Sequence, residues 1–179
     1  MGGSITDLSE FADGTFDAVL CLGTLSHLIE RRKRESAASE LVRVARKKAP
    51  LFVSVISLYG VFRTVLQRLP YELVDPSHKE MFSQGVHRAE WHKHETYQGF
   101  PDAYFFHPTE VRELFERHHV ETLEMATCEG LSSHLSEETN RIYQDKKKWK
   151  SWLKILLKTC TDPIILGLGE HFLYVGRRT

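Results

Sequence analysis

The sequence lacks an excess of charge of either sign. Its 24 Lys and Arg residues balance 24 Asp and Glu residues in 179 residues. A balanced chain has no general electrostatic attraction to nucleic acid or to an anionic membrane surface. The basic aromatic stretch "KKKWKSWLK" fits an amphipathic helix with a solvated lysine face. We therefore expect neither nucleic acid nor a membrane as a partner.

Cysteine is scarce, and long hydrophobic runs are missing. The three cysteines, Cys21, Cys128 and Cys160, are odd in number and far apart, which favours free thiols over a disulfide framework. The apolar stretch "PLFVSVISLYGVF" is too short to span a bilayer as a helix. The N-terminal "MGGSITDLSE" has neither the basic start nor the apolar core of a signal peptide. These features predict a cytoplasmic protein.

Several catalytic motifs are also missing. The sequence has no G-x-S-x-G elbow, Walker loop or paired-cysteine metal motif, which disfavours hydrolase, ATPase and zinc-ribbon functions. Its composition is that of a globular protein, with 41% hydrophobic and 27% charged residues. The length suffices for one domain with its own core but not comfortably for two. We therefore expect a single domain over residues 1–179.

Hydrophobic periodicity in the first third predicts a βαβ unit. The apolar run of residues 16–22 follows an Asp-Gly turn and predicts a strand that is buried on both faces. The stretch "RKRESAASELVRVARKKA" places its apolar residues on one helical face. A second strand is predicted over residues 51–57. The connection between two such parallel strands is almost always right-handed.

The remainder predicts an insertion followed by α-β-α-β. Residues 58–106 have weak periodicity and many aromatic and histidine residues. Pro108 suits the first position of a helix in "HPTEVRELFERHHV", and "VETLEMAT" and "HFLYVGRR" are candidate strands. Ser136 is a candidate N-cap for a long helix that ends near Cys160. The sequence thus predicts an α/β sheet whose last strand is reached differently from the others.

The first predicted strand ends unusually, in Gly23-Thr-Leu-Ser-His27. Ligands bind at the carboxyl ends of parallel strands, so residues at this point are available for chemistry. Gly23 permits close approach of a ligand to the backbone. The hydroxyls of Thr24 and Ser26 suit a ligand or a helix cap, and His27 can hydrogen-bond, act as a base or simply pack. A plain strand-to-helix turn with a capping serine is the alternative interpretation.

The stretch "ITDLSEFADGTFDAVLCLGTLSHL" resembles the central motifs of class I S-adenosylmethionine-dependent methyltransferases of the small-molecule type 11 group. In that family an acidic turn precedes a "D-G-[ST]-F-D-x-V" strand, and "L-x-H-[LI]" opens the next helix. The order of "ELVRVARKKAPLFVSV", "FHPTEVRELFERHHVETLEM" and "EHFLYVGRR" is similar to that of the family. The resemblance implies a partial Rossmann-like sheet, the C-terminal half of a seven-stranded fold, with antiparallel strands at its last edge.

The resemblance also implies S-adenosylmethionine as the cofactor and assigns residues to it. Those beside the adenine would be Ser4 and Ile5, and those along the methionine and sulfonium would be Cys21, Leu22 and Gly23. Ser4 stands where the family has an acidic residue, so it offers an acceptor without charge. His27 matches a position near the reaction centre and is the candidate catalytic residue.

By the same resemblance, the insertion of residues 58–106 acts as a lid over the acceptor substrate. Aromatic rings suit both a sulfonium cation and an apolar acceptor. The candidate lid residues are Trp91, His92, His94, Tyr97, Phe100 and Tyr104. A metal site is a competing interpretation, because His92 and His94 would face the same side of a strand, and ordinary packing is another. We favour the lid and expect no metal.

Two cofactor elements of the family have no counterpart in this sequence. A glycine-rich loop after the first strand and an acidic residue after the second would both precede "GSITDLSEF". We therefore expect a C-terminal fragment of a longer methyltransferase, with weak cofactor binding of its own. The edge of the strand at residues 16–22 would then be apolar and unpaired, which favours a homodimer or a partner chain.

Two functions are compatible with these observations. The first is methyl transfer from S-adenosylmethionine to a small or medium organic acceptor. The alternative is a non-catalytic, methyltransferase-like remnant or interaction module that needs a partner or a dimer to complete its pocket.

Overall fold

The computed structural model describes residues 3–74, 78–89 and 100–179. The strands are β1 (Val19–Leu22), β2 (Pro50–Ile56), β3 (Val86–His87), β4 (Ala103–Tyr104), β5 (Val120–Thr127) and β6 (His171–Arg178). The helices are α1 (Arg31–Val44), α2 (Leu58–Arg68), α3 (Lys79–Gln84), α4 (Pro108–Arg117), α5 (Ser136–Tyr143), α6 (Lys146–Thr159) and α7 (Pro163–Leu166). Single 3-10 turns cover Thr24–His27, Pro70–Val74 and Gly130–Ser132.

The main sheet is mixed and has four strands in the order β1-β2-β6-β5. β1 and β2 are parallel, with Leu22 opposite Ser54, and α1 connects them as predicted. β6 lies antiparallel between β2 and β5. The predicted α/β fold with antiparallel last strands is therefore confirmed. The carboxyl ends of β1, β2 and β5 lie at one edge of the sheet, together with the start of β6.

One face of the sheet carries the main core. Alternate residues of β2, Leu51, Val53 and Val55, are fully buried, as strand periodicity requires. The apolar faces of α1 and α4 pack against them. The ring of Phe115 on α4 stacks on Tyr174 of β6 at a centroid distance of 5.1 Å. This core fixes the positions of the strand ends that form the candidate site.

The prediction that the first strand is buried on both faces was wrong. Its regular part begins at Val19, and burial alternates along it. Val19 and Cys21 face the core, whereas Leu20 and Leu22 are 63% and 58% exposed. Within the described part of the chain, β1 pairs only with β2. β1 therefore forms an edge of the sheet with two exposed leucines, which agrees with the unpaired apolar edge expected from the sequence.

The described part of residues 58–106 forms a second hydrophobic cluster. Met81 of α3, Val65 of α2 and Phe105 pack with Ile56 at the end of β2. β3 and β4 pair antiparallel within it. Trp91, His92, His94 and Tyr97 lie outside the described residues.

The predicted long helix at residues 136–160 was also wrong, because the structure has two helices there. Asp145 separates α5 from α6, and its side chain accepts hydrogen bonds from the backbone N–H groups of Lys147 (2.9 Å) and Lys148 (3.1 Å). Ser136 is the first residue of α5, and its neighbour Leu135 occupies the N-cap without a side-chain bond. Among the described helices, none has the length and apolar character that crossing a bilayer needs.

Replacing Asp145 with alanine tests this break. We expect D145A to lower the free energy of unfolding by about 1 kcal/mol, the usual cost of losing an N-cap. S136A is the matched control and should change it by less than about 0.5 kcal/mol. Urea unfolding measures both. A larger loss in S136A than in D145A would support one continuous helix instead.

Candidate functional site

The candidate site begins at Gly23, directly after β1. Its φ is +87°, a conformation that side chains of L-residues rarely adopt. No heavy atom lies within 4 Å of the position that a Cβ would take there. The Gly23 N–H donates to the carbonyl of Ser54 on β2 at 3.0 Å, so the open backbone is also fixed. Gly23 thus provides a rigid, uncovered stretch of backbone at the carboxyl edge of the sheet.

The turn after Gly23 uses its two hydroxyls differently. Ser26 is fully buried, and its Oγ accepts a hydrogen bond from the backbone N–H of Ile56 at 3.0 Å. Ser26 therefore joins the ends of β1 and β2, and it neither caps a helix nor faces a ligand. Thr24 is exposed.

His27 ends the 3-10 turn and is exposed. Its Nδ1 lies 3.0 Å from the carbonyl oxygen of Asp102. Because a carbonyl only accepts, the neutral ring donates from Nδ1 and leaves a lone pair on Nε2. The Phe100 ring lies 5.9 Å from the His27 ring, between centroids. Asp102 and Phe100, near the C-terminal end of the insertion, therefore orient the His27 ring.

The predicted cofactor residues of β1 do not share one surface. The Cys21 side chain is 3% exposed and packs in the core, and its burial raises the pKa of the thiol. Leu22 points to the opposite, exposed face. The side chains that a ligand can reach at this strand end are thus limited to Leu22 and the turn that follows.

Ser4 and Ile5 belong to an N-terminal loop that α1 anchors. Ser4 is exposed, with its Oγ 2.8 Å from Thr6 Oγ1, and Ile5 packs against the main core. The backbone N–H of Leu8 donates to Glu40 of α1 at 2.8 Å. Hydrogen bonds from Arg43 and from this N–H lower the pKa of Glu40 to about 2. The Ser4 hydroxyl therefore stands on a loop that charged side chains hold in place.

A cavity of about 200 Å³ lies beside the strand ends, beneath the insertion. Its walls are mainly apolar and include Ile56, Val65, Met81, Phe100 and Phe105. The Phe100 ring is 5.8 Å from that of His87, which also lines the cavity. Phe100 thus contacts both His27 and the cavity wall. Of the described candidate lid residues, it is the one at this cavity.

Tyr104, the other described lid candidate, contacts Glu110 and Arg34 and does not line this cavity. Its hydroxyl donates to Glu110 at 2.6 Å, and the guanidinium of Arg34 lies 3.5 Å above its ring. Burial and the bond to Glu110 raise the pKa of Tyr104 to about 12. Tyr104 lines a different depression, between α1 and α4, and so does not join Phe100.

The sequence analysis did not predict the residues at the polar end of the cavity. His171 and Glu170 line it, and Glu129 contacts His171. One nitrogen or oxygen of each of these three residues lies within 4.8 Å of the others. The His171 ring Nδ1 is 2.8 Å from one carboxylate oxygen of Glu129. No sequence motif signals this pair, because 42 residues separate its members.

Comparison with known proteins identifies the fold. Residues 1–53 match the family model described as a methyltransferase domain. Over 98% of the chain, the structure is similar to a SAM-dependent methyltransferase from Methanosarcina mazei, with a TM-score of 0.61 and 16% identity. The chain has the fold of the S-adenosylmethionine-dependent methyltransferases. The recognition made from the sequence is thereby confirmed at the level of the fold.

Two further solved structures share the methyltransferase fold. One is a SAM-dependent methyltransferase from Thermotoga maritima, with a TM-score of 0.55, 16% identity and 100% of this chain covered. The other is the 1,6-didemethyltoxoflavin-N1-methyltransferase of Burkholderia thailandensis, with 1,6-didemethyltoxoflavin and S-adenosylhomocysteine bound. Its TM-score is 0.51 at 11% identity, with 100% of this chain covered. No curated protein sequence matched the chain significantly. The chain spans 65%, 63% and 50% of the lengths of the three methyltransferases.

The junction at Ser26 can be tested by mutation. S26A leaves the buried N–H of Ile56 without its acceptor, so we expect the free energy of unfolding to fall by about 1–3 kcal/mol. T24A removes an exposed hydroxyl from the same turn and should change it by less than about 0.5 kcal/mol. Chemical denaturation compares the two variants. Equal stabilities would show that Ser26 does not hold the strand ends together.

Proposed function

We propose that the protein takes part in methyl transfer from S-adenosylmethionine to a small or medium organic acceptor. The observation that carries this proposal is the pairing of an open, positive-φ glycine after β1 with an apolar cavity at the same sheet edge. Ligands bind at such strand ends in open α/β sheets. The match of residues 1–53 to the methyltransferase domain includes Gly23 but not the residues that line the cavity.

The residues at the end of β1 fit part of the cofactor. Gly23 offers uncovered backbone, Leu22 an exposed apolar side chain, and Ser4 an exposed hydroxyl on its loop that also bonds to Thr6. The buried thiol of Cys21 does not fit this role. S-adenosylmethionine, when bound, supplies an electrophilic methyl group and leaves as a neutral thioether. In this proposal Leu22 and Gly23 contact its methionine part, and Ser4 accepts from its adenine.

The cavity suits the acceptor. Its apolar walls favour an acceptor with an apolar body, and in this proposal the described part of the insertion, which lines the cavity, keeps water from the reacting atoms. His27 stands between the end of β1 and Phe100, with its Nε2 lone pair available. It would orient an acceptor or take its proton near the methyl group. Free thiols at all three cysteines support a cytoplasmic location for this activity.

We further propose that another segment, preceding this sequence or belonging to a partner chain, supplies the remaining wall of the cofactor pocket. The exposed leucines of β1 support this, because no described strand pairs with its outer edge, and an unpaired apolar edge favours addition of a strand. The same observation favours the second candidate function, an interaction module whose pocket a partner or a second copy completes.

Binding of S-adenosylhomocysteine tests the cofactor proposal. In ¹⁵N NMR titrations we expect weak binding, with a dissociation constant of about 1 mM, and chemical-shift changes centred on Gly23 and Leu22. G23A should weaken it at least roughly tenfold, because the added methyl group enters the open backbone surface.

G14A is the matched control for G23A. Gly14 also has positive φ, +65°, with room for a Cβ, but precedes β1 at the opposite edge of the sheet. Both variants should lose about 1–2 kcal/mol of stability from backbone strain, and only G23A should lose affinity. Absence of shifts at millimolar ligand, or equal affinities in G23A and G14A, would refute the proposed site.

Sedimentation velocity tests the partner proposal on the isolated chain. If copies pair through β1, wild-type protein should sediment increasingly as dimer when its concentration rises. L20K places a charge on this edge and should restore the monomer. The control is L157K on α6, where Leu157 is 74% exposed. A monomer at all concentrations would argue against self-pairing and leave a separate segment as the partner.

A further inference from the structure

The polar end of the cavity contains a histidine held by a carboxylate at two points. Glu129 accepts from the His171 backbone N–H at 2.9 Å with one oxygen. Its other oxygen lies 2.8 Å from Nδ1 of the same residue. Two contacts from one carboxylate fix both the position and the rotation of the ring. Such second contacts are how proteins orient a histidine that binds or reacts through its other nitrogen.

The geometry selects one tautomer of neutral His171. Burial alone would raise the pKa of Glu129, but the hydrogen bonds from His171 outweigh it and keep this pKa below its ordinary value. Glu129 is therefore a carboxylate at neutral pH and can only accept. The Nδ1 proton points to Glu129, and Nε2 keeps its lone pair. His171 itself lines the polar end of this otherwise apolar cavity.

The close fit around Glu129 depends on Gly169. A Cβ on Gly169 would lie 2.1 Å from Thr127 Oγ1 and 2.9 Å from Glu129 Oε2, which no side chain permits. Thr127 Oγ1 in turn accepts from the backbone N–H of Gly130 at 3.2 Å. The carboxylate is thus wedged between the end of β5 and the start of β6. Glu129 is therefore more tightly packed than the carboxylate of an ordinary surface ion pair.

Two neighbouring carboxylates raise the pKa of His171. Its hydrogen bond to Glu129 raises the pKa of His171 above its ordinary value, burial opposes this, and the Glu170 carboxylate adds to the rise. The groups that face the ring or share the cavity are Glu129 after β5, Glu170 before β6, His134 beside Glu170, Arg68 on α2 and His87 on β3. A proton taken up at Nε2 therefore has two carboxylates beside it.

We propose that His171, oriented by Glu129, is a general base that accepts the proton of a hydroxyl group on an acceptor bound in the apolar cavity. This rests on the proposed methyl transfer and narrows its acceptor to apolar alcohols or phenols. Such a nucleophile is weak until it loses its proton, unlike an amine or a thiolate.

The step balances in protons and electrons. The acceptor O–H bond breaks, and its proton moves to the lone pair of Nε2. An oxygen lone pair forms the bond to the methyl carbon as the carbon–sulfur bond breaks, and that electron pair stays on sulfur. The imidazolium formed is stabilised by Glu129 and gives its proton to water when the product leaves.

Phenol and anisole test the base without any cofactor. They have nearly the same shape, but anisole is the O-methylated form and carries no hydroxyl proton. A neutral His171 accepts a hydrogen bond from phenol, whereas an imidazolium cannot. We therefore expect phenol affinity, measured by NMR titration, to rise roughly fivefold as pH increases through the pKa of His171. Anisole affinity should not change.

Three variants sharpen this test. H171Q should abolish the rise in phenol affinity with pH. E129Q keeps an acceptor for Nδ1 but removes the charge, so the midpoint of the rise should move to lower pH by about one unit. H118N is the control, because His118 forms a similar pair with Glu35, at 3.1 Å, and does not line this cavity. It should behave as wild type.

The outcomes separate this inference from the proposed function. Phenol affinity that is flat, falls with pH or is undetectable would overturn the role of His171, even if S-adenosylhomocysteine binds at Gly23. A rise with pH that H171Q removes supports the base even if S-adenosylhomocysteine does not bind, and methyl transfer alone would then be abandoned.

Discussion

The carboxyl end of β2 is the structural centre on which the candidate site depends. The Ile56 N–H donates to Ser26 Oγ, and its carbonyl accepts from the N–H of Phe106 at 2.9 Å. The Ser57 N–H donates to the carbonyl of Glu170 at 2.8 Å, and the Ser57 hydroxyl donates to the carbonyl of Gly167 at 2.7 Å. Ile56 and Ser57 thus hydrogen-bond to the turn after β1, to the end of the insertion and to the segment that precedes β6. Their buried hydrogen bonds are costly to leave unsatisfied, so these segments keep fixed relative positions.

This arrangement gives the site two histidines with related chemistry and different surroundings. His27 and His171 both have Nδ1 beside an oxygen acceptor, so the neutral ring of each keeps its lone pair on Nε2. The partner of His27 is a neutral carbonyl, whereas that of His171 is a carboxylate, which stabilises a positive ring. In the proposed reaction, His27 orients the acceptor near the end of β1, and His171, which lines the cavity, takes up its proton. Where the apolar walls of the cavity exclude water, they strengthen the electrostatic interactions of His171.

Local patterns predicted much of the fold but only part of the site. The helix that carries Leu41 and the strand that begins at His171 follow from periodicity, which needs only neighbouring residues. The exposure of Leu22 did not follow, because it depends on what covers each face of β1. The break at Asp145 was overlooked because the apolar stripe continues across it. The Glu129–His171 pair depends on how β5 and β6 meet, and no local pattern carries that information.

The insertion joins the sheet at a single place. Its two ends meet, because the N–H of Leu58 donates to the carbonyl of Phe106 at 3.0 Å and Phe106 bonds back to Ile56. Residues between these points can change without disturbing the register of β2 with β1 and β6, since the insertion leaves and rejoins the sheet at one place. Gly23 and His171 belong to the sheet edge, whereas Met81 and Phe105 belong to the insertion. In the proposed reaction, the sheet fixes where methyl transfer takes place, and the insertion determines the shape of the acceptor that reaches it.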